Sequence, residues 1–253
     1  MIKTLYEKLI RLDETDSTNA EALRRSGSIR GDFAVCAEYQ SAGRGRMGRS
    51  FESPKGAGLY LSVLEYRAVS PDLTARVGVA AAKSIEKCCG LETEIKWPND
   101  IQCGGKKLCG ILCERVPLKK ASGEYTDAVI IGIGINLSQS EEELGELSDI
   151  ATSLRLCGRS CDKEELLKAL LSELDLMLSG YDRAEGEASR SSYLAYYREH
   201  SNCTDRDIYL IKDDKKIPAY AAGIGDDFEL IVRRDDGSFE HINSGEISLR
   251  FRD

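Results

Sequence analysis

Apolar residues recur at helical spacing between Leu73 and Cys89 (Leu73, Val77, Ala80, Ala81, Ile85, Cys88). The run ends at Gly90, a residue suited to the left-handed turn that closes a helix. The same periodicity predicts a long amphipathic helix from Lys163 to about Leu178 and a shorter one from Ser191 to His200. Near the N-terminus, Asp16-Ser17-Thr18-Asn19 runs into Ala20-Glu21-Ala22-Leu23. Thr18-x-x-Glu21 fits a capping box, so a helix is expected to start there. Apolar runs bounded by turn residues predict strands over Phe33–Tyr39, Leu59–Leu64, Thr93–Trp97, Lys107–Arg115 and Ala128–Leu137. Cys103-Gly104-Gly105-Lys106 reads as a hairpin turn, and the acidic stretch Glu141–Glu146 as an exposed connection.

After Cys203 the pattern changes to short strands: Ile208–Ile211, Ile217–Ala222, Phe228–Arg233 and Ile247–Phe251. Asp213-Asp214, Gly225-Asp226 and Asp236-Gly237 separate them. That rhythm predicts a small β-barrel. The expected architecture is α+β, a mixed or antiparallel sheet with flanking helices over 1–202 followed by a small C-terminal barrel over 203–253.

Composition narrows the function. The chain has 253 residues, 42% hydrophobic and 31% charged, which is enough to bury a sizeable core. No apolar run reaches the length of a membrane span, and the N-terminus lacks a signal-peptide stretch. The formal charge of −8 argues against bulk affinity for nucleic acid. The nine cysteines, an odd number without a leader, point to free thiols in a reducing cytoplasm. Cys103, Cys109 and Cys113 have spacings too loose for a zinc site.

Against that acidic background, Gln40–Ser50 (QSAGRGRMGRS) stands out. It interleaves Arg44, Arg46 and Arg49 with Gly43, Gly45 and Gly48. Glycine exposes backbone N–H groups and arginine brings a charged fork, so the loop is suited to a small anionic ligand. Gly43-x-Gly45-x-x-Gly48 also matches the dinucleotide fingerprint, but a turn and a second strand follow it where that motif needs a helix. A kinase-type glycine loop fits the two flanking strands, yet no His-Arg-Asp or Asp-Phe-Gly segment follows.

Further motifs follow in order. In Lys96-Trp97-Pro98-Asn99-Asp100 the proline ends a strand and presents Asn99 and Asp100 at its tip. Lys106-Lys107-Leu108-Cys109-Gly110-Ile111-Leu112 and Gly132-Ile133-Gly134-Ile135-Asn136 place glycines inside strands, where they mark close approach of a ligand or another backbone. Together with Asp-Ser-Thr-Asn and the Gly/Arg loop, this series resembles biotin protein ligase, over about residues 12–137. The closing Gly245-Glu246-Ile247-Ser248-Leu249-Arg250 extends the likeness to the C-terminal barrel.

The resemblance implies a class II synthetase-like fold of the biotin/lipoate ligase type with an SH3-like C-terminal barrel. It also implies a cytoplasmic enzyme that uses ATP to convert biotin to biotinyl-5′-AMP. The biotinyl group then passes to one lysine of the biotin carboxyl carrier domain of a biotin-dependent carboxylase. It assigns Arg46 and Lys107 the main electrostatic roles, Arg44 the biotin carboxylate and Arg49 the departing pyrophosphate. Biotin would be lined by Ser17, Thr18, Asn19, Gln40, Gly43, Arg44, Lys107 and Gly110, and Trp97 serves either its apolar portion or the core. Arg46, Arg49, Phe51, Asn99, Asp100 and Asn136 would serve ATP and the adenylate, with Mg2+ near Asp100 and its ligands left open. Phe51 stands where some relatives carry a stacking Trp. The chain starts almost at the first motif, so a short form with no DNA partner is expected, as monomer or homodimer. The C-terminal barrel would serve either nucleotide-site support or acceptor docking. Two rivals remain: a lipoate–protein ligase, whose ligand has no use for Ser17 or Gln40, and a biotin-sequestering protein, which has no need of Arg46 or Lys107.

Overall fold

The computed structural model describes residues 4–29, 31–67, 70–119, 125–179, 186–212, 215–243 and 248–252. Its larger sheet has seven strands: β1 (Leu9–Leu12), β2 (Phe33–Ala37), β3 (Gly58–Glu65), β4 (Glu94–Lys96), β5 (Asp100–Cys103), β6 (Lys106–Lys119) and β7 (Tyr125–Asn136). Their order is β1-β2-β3-β7-β6-β5-β4. β1 runs parallel to β2 and the other neighbours are antiparallel, giving the mixed α+β architecture expected. The helices are α1 (Thr18–Arg25), α2 (Leu73–Cys89), α3 (Glu141–Leu144), α4 (Lys163–Ser179) and α5 (Gly186–His200).

Strand alternation sorts the core into two layers. Every residue of β2 and β3 is buried, as strands covered on both faces require. Phe33, Val35 and Leu64 join Ala22 of α1 on one face. Ala34, Cys36, Leu59, Leu61 and Val63 face the other way, into a core shared with α2 and α4. Gly90 closes α2 at φ 59° and donates its N–H to the Glu86 carbonyl at 2.9 Å, as the sequence predicts.

Several expectations are corrected. The capping box at Thr18 does not form. The Glu21 carboxylate is taken by Arg24 and Arg25, and the Thr18 N–H and hydroxyl both donate to Gln40 Oε1. A capping box forms instead at Ser140 and Glu143, so the acidic connection contains the short α3. The Gly104-Gly105 turn is present at φ 58° and 75°, but it joins β6 to β5, a strand the sequence pattern missed along with β1.

The second sheet is wholly antiparallel: β8 (Arg206–Lys212), β9 (Lys215–Ile224), β10 (Leu230–Arg233), β11 (Phe239–Ile242) and β12 (Ser248–Phe251), in the order β11-β10-β9-β8-β12. It fits an SH3-like fold. Among the described residues no ladder joins β11 to β12, so it is an open sheet and not the closed barrel expected. The predicted turn at Asp213-Asp214, and Gly245-Glu246-Ile247 of the closing motif, lie outside the described residues. The apolar core continues across position 203: Ile208, Leu210 and Leu230 share one cluster with α2 and α4. No described helix is long and apolar enough to cross a membrane.

One buried acid makes stability depend on pH. Burial, aided by the charge of Asp32 and opposed by Arg67, pushes the Glu65 carboxyl up to about 7. The folded state therefore holds a proton that the unfolded chain gives up at lower pH. Its stabilisation is full below the ordinary carboxyl value of 4.5 and is lost as pH rises through 7. Glu65→Gln is expected to gain roughly 1–3 kcal/mol over the wild type at pH 8, with the gain fading toward pH 5. Thermal unfolding across that range checks it, and a gain independent of pH would remove Glu65 as the source.

Candidate active site

Three glycines on two adjacent strands open a cleft in the larger sheet. Gly110 and Gly134 are register partners across β6 and β7, and Gly132 pairs with Leu112. A side chain at Gly132 would overlap the Asn19 amide. A Cβ at Gly134 would lie 2.5 Å from the Phe51 ring, and one at Gly110 would lie 2.8 Å from Lys107 Cε. The missing side chains let groups from three other segments lie against the strand backbone. The resulting cleft has about 430 Å3 of empty space, open solvent at its mouth included. Its walls are the start of α1 (Ser17, Thr18, Asn19), Gln40, the Arg44–Arg46 segment and Phe51, with Asn99 and Lys107 at the far side.

One wall is a hydrogen-bond chain. Gln40 Oε1 accepts from the Thr18 N–H at 2.8 Å and hydroxyl at 3.0 Å, while Gln40 Nε2 donates to Ser53 Oγ at 2.7 Å. The Ser62 hydroxyl lies 2.7 Å from Thr18 Oγ1 and 2.6 Å from Asn19 Oδ1. Asn19 Nδ2 donates to Glu114 Oε2 at 2.8 Å, and Arg44 Nη2 donates to Glu114 Oε1 at 2.7 Å. Each member fixes the next, so the wall is rigid and polar. Ser17 is the N-cap of α1 and lines the cleft, yet its hydroxyl makes no cap hydrogen bond.

The opposite wall is cationic. Lys107 Nζ lies 2.7 Å from Asp100 Oδ1 and 6.0 Å from the centre of the Phe51 ring. Arg46 Nη1 donates to Asn99 Oδ1 at 3.1 Å, and Asn99 Nδ2 donates to the Ile111 carbonyl at 2.9 Å, which fixes the amide that receives the guanidinium. Burial lowers the Arg46 pKa, partly offset by Asp100. A guanidinium stays charged regardless, so the cleft holds a partly desolvated cation. Such a group favours an incoming anion.

The sequence-predicted residues divide clearly. Ser17, Thr18, Asn19, Gln40, Arg44, Arg46, Phe51, Asn99, Lys107 and Gly110 all line one cleft, and Asp100 reaches it through Lys107. Gly43 does not. Phe51 donates its N–H to the Gly43 carbonyl at 2.9 Å, and a side chain at Gly43 would overlap the Phe51 carbonyl, so this glycine shapes the loop. Arg49 is exposed and outside the lining; its carbonyl accepts the Gly45 N–H at 2.7 Å. Asn136 is buried away from the cleft. It donates to the Thr152 carbonyl at 2.9 Å, accepts from Gln139 at 3.1 Å, and so anchors the segment after α3. Trp97 belongs to the core: 2% exposed, its indole N–H donates to the Phe228 carbonyl at 3.2 Å. Sequence reasoning missed Glu114, Ser53 and Ser62. Glu114 left one trace, a carboxylate at the end of the apolar run of β6.

The geometry can be set beside known proteins. Residues 9–136 match the model of the biotin/lipoate A/B protein ligase family. The chain is 35% identical over 241 residues to the bifunctional ligase/repressor BirA of Salmonella typhimurium, covering 93% of this chain and 72% of that protein. It is 36% identical over 170 residues to the biotin–[acetyl-CoA-carboxylase] ligase of Paracoccus denitrificans, covering 63% of this chain and 68% of that one. Among solved structures, the biotin protein ligase of Aquifex aeolicus in complex with biotin and ATP superposes with a TM-score of 0.82 at 27% identity, over 97% of this chain and 100% of that one.

Proposed function

The chain belongs to the biotin/lipoate A/B protein ligase family, and we propose that the glycine-floored cleft is where it joins biotin to ATP. The activity is that of a biotin–[carrier protein] ligase. In the first half-reaction a biotin carboxylate oxygen attacks the α-phosphorus of ATP. A carboxyl–phosphate bond forms and the bond to pyrophosphate breaks, giving biotinyl-5′-AMP. In the second, a lysine amine of the carrier domain attacks the carbonyl, loses a proton and expels AMP.

The observation that carries the assignment is the polarity of the cleft, with the neutral side chains of Ser17, Thr18 and Gln40 in one wall and the cations Arg46 and Lys107 in the other. A ureido ring has two N–H groups and a carbonyl, each needing a partner once buried. Ser17 and Thr18, with the first turn of α1 behind them, stand at that end. The carboxylate and α-phosphate would lie toward Arg46 and Lys107, which reduce the repulsion between an anionic nucleophile and an anionic phosphate. Arg44 is held by Glu114 through Nη2, which fixes where its guanidinium stands in the cleft wall. Phe51, whose ring lies against Gly134 and in a T-shaped contact with Tyr60 at 6.4 Å, would cover the biotin–nucleotide junction.

Among the described residues no group of three or more His, Cys, Asp or Glu is placed to hold a metal. A magnesium ion carried in by the triphosphate needs one or two carboxylates, and Asp100 would supply one. Bound there, it would neutralise phosphate charge. The acidic net charge keeps DNA out of the proposed partner set.

ATP-dependent incorporation of biotin into a purified biotin carboxyl carrier domain tests the reading. Incorporation with stoichiometric pyrophosphate release is expected. Tight biotin binding with neither product would overturn it in favour of a sequestering protein.

A further inference from the structure

Two cysteines on one connection each meet a thiol from another element. Residues 148–162 lead into α4 and carry Cys157 and Cys161. The Cys157 thiol is hydrogen-bonded to that of Cys103, the last residue of β5, and the Cys161 thiol to that of Cys89, the last residue of α2. The backbone brings the first pair together. Lys107, in the strand beside β5, donates its N–H to the Ile150 carbonyl at 2.8 Å and accepts the Thr152 N–H at 2.8 Å. Lys106 is the register partner of Cys103, and its ammonium donates to the Ser148 carbonyl at 2.8 Å. Cys157 then turns back over Thr152: its N–H donates to the Ser153 carbonyl at 3.0 Å, and its sulfur lies 3.6 Å from Thr152 Oγ1. At the second pair the Cys88 thiol reaches the Glu165 carbonyl at 3.8 Å, which holds the end of α2 to the start of α4. All four paired thiols are free and half-buried, whereas Cys36, Cys109 and Cys203 are buried.

Free thiols in contact, within reach of solvent and carried by different segments, form a dithiol that a two-electron oxidant can close. We infer that Cys103 and Cys157 are a redox-sensitive modification site, joined as a disulfide by a small-molecule disulfide such as oxidised glutathione. One cysteine loses its proton and attacks the S–S bond of the oxidant, expelling one thiolate and leaving a mixed disulfide. The second, deprotonated in turn, attacks that mixed disulfide and expels the other thiolate. The pair gives up two electrons and two protons, and the oxidant is reduced to two thiols. Burial, joined by the neighbouring thiol, pushes Cys103 up to about 12, so the pair rests as the dithiol at neutral pH and closes faster as pH rises. The bond is coupled to the cleft through the main chain. Bringing the two sulfurs to covalent distance pulls residues 148–157 against the β5–β6 hairpin, and the backbone of Lys107 is held by that same stretch. Displacing a cleft cation by about 1 Å is enough to slow a reaction that depends on its placement. The effect on activity rests on the function proposed above; the formation of the bond does not.

The test treats the folded full chain with oxidised glutathione at about pH 8 and maps its peptides by mass spectrometry without reduction. The peptides of Cys103 and Cys157 are expected to appear joined, two hydrogens lighter than their sum, and to separate again with dithiothreitol. In Cys103→Ser the second step has no attacking thiol, so glutathione is expected to stay on Cys157. Biotin-dependent ATP–pyrophosphate exchange is expected to fall roughly 3- to 30-fold as the wild type closes and to recover on reduction. The double variant C103S/C157S is expected to keep its rate under the same oxidant. No bond between Cys103 and Cys157, a bond from Cys157 to Cys161 in its place, a closed protein exchanging at the full rate, or a double variant slowed as much as the wild type would each overturn the inference. A protein that closes as expected but shows no exchange before oxidation would leave the dithiol standing and take down the functional reading alone.

Discussion

Arg46→Ala is expected to slow biotin-dependent ATP–pyrophosphate exchange by about 10²- to 10³-fold, roughly 3–4 kcal/mol of transition-state stabilisation. Arg46 is the cation in the cleft wall whose charge is most withdrawn from water, and its Nη1 is aimed by Asn99, itself fixed to the Ile111 carbonyl. A preorganised charge costs nothing to reorient when the α-phosphorus becomes crowded with oxygens, which is why its removal falls on the chemical step. Arg46→Lys is expected to recover only part of the loss, because an ammonium cannot span the Asn99 amide and a phosphate oxygen as a planar fork does. Biotin binding, measured by calorimetry without ATP, is expected to change far less, since the proposed place of the ureido end is at Ser17 and Thr18. Arg49→Ala is the internal control: this exposed arginine lies outside the lining and is expected to cost less than tenfold. An Arg49 variant worse than the Arg46 variant would mean that the loop binds its anion on the other side.

That contrast shows what can be read from the letters of the Gly/Arg loop. Composition identified an anion-binding segment, but three arginines in three equivalent-looking positions became one paired to Glu114, one half-buried against Asn99 and one exposed without a place in the cleft lining. Only the fold of the loop, with Met47 at φ 56° between them, separates these fates. Elements whose determinants are local were legible: α2 declares its apolar stripe and its closing Gly90 within one stretch of chain. β5 was not, because Asp100–Cys103 is short and its strand character comes from pairing with both β4 and β6. Thr18-x-x-Glu21 is the converse case. The local signal was present, but Gln40 from a distant segment and Arg24 and Arg25 from the same helix took both of its side chains. Ser53, between β2 and β3, and Ser62, within β3, carried no signal at all, since a lone serine announces nothing until its partners are known.

Biotin is expected to outcompete lipoate by at least about 10³-fold in kcat/KM, and Ser17→Ala is expected to cut that margin by about tenfold or more from the biotin side. The family that the chain belongs to groups biotin ligases with lipoate ligases, so membership alone does not choose the acid. The wall does. A dithiolane offers no hydrogen bond, and burying it against Ser17 and Thr18 would strip water from polar groups and return nothing. Sites built around such groups reject analogues lacking them by roughly 10⁴–10⁵, whereas an apolar slot separates similar ligands by only about 10–200-fold. The Ser17 hydroxyl is not engaged in capping its own helix, while the Gln40 amide is held by Thr18 and Ser53. The wall is thus prepared for a polar head group before one arrives. Ser17→Ala should lower kcat/KM for biotin by about tenfold or more and leave the weak lipoate rate where it was. Paired adenylation assays with each acid read both numbers. Equal rates for the two acids in the wild type would show that the polar wall is structural and that the acid sits elsewhere in the cleft.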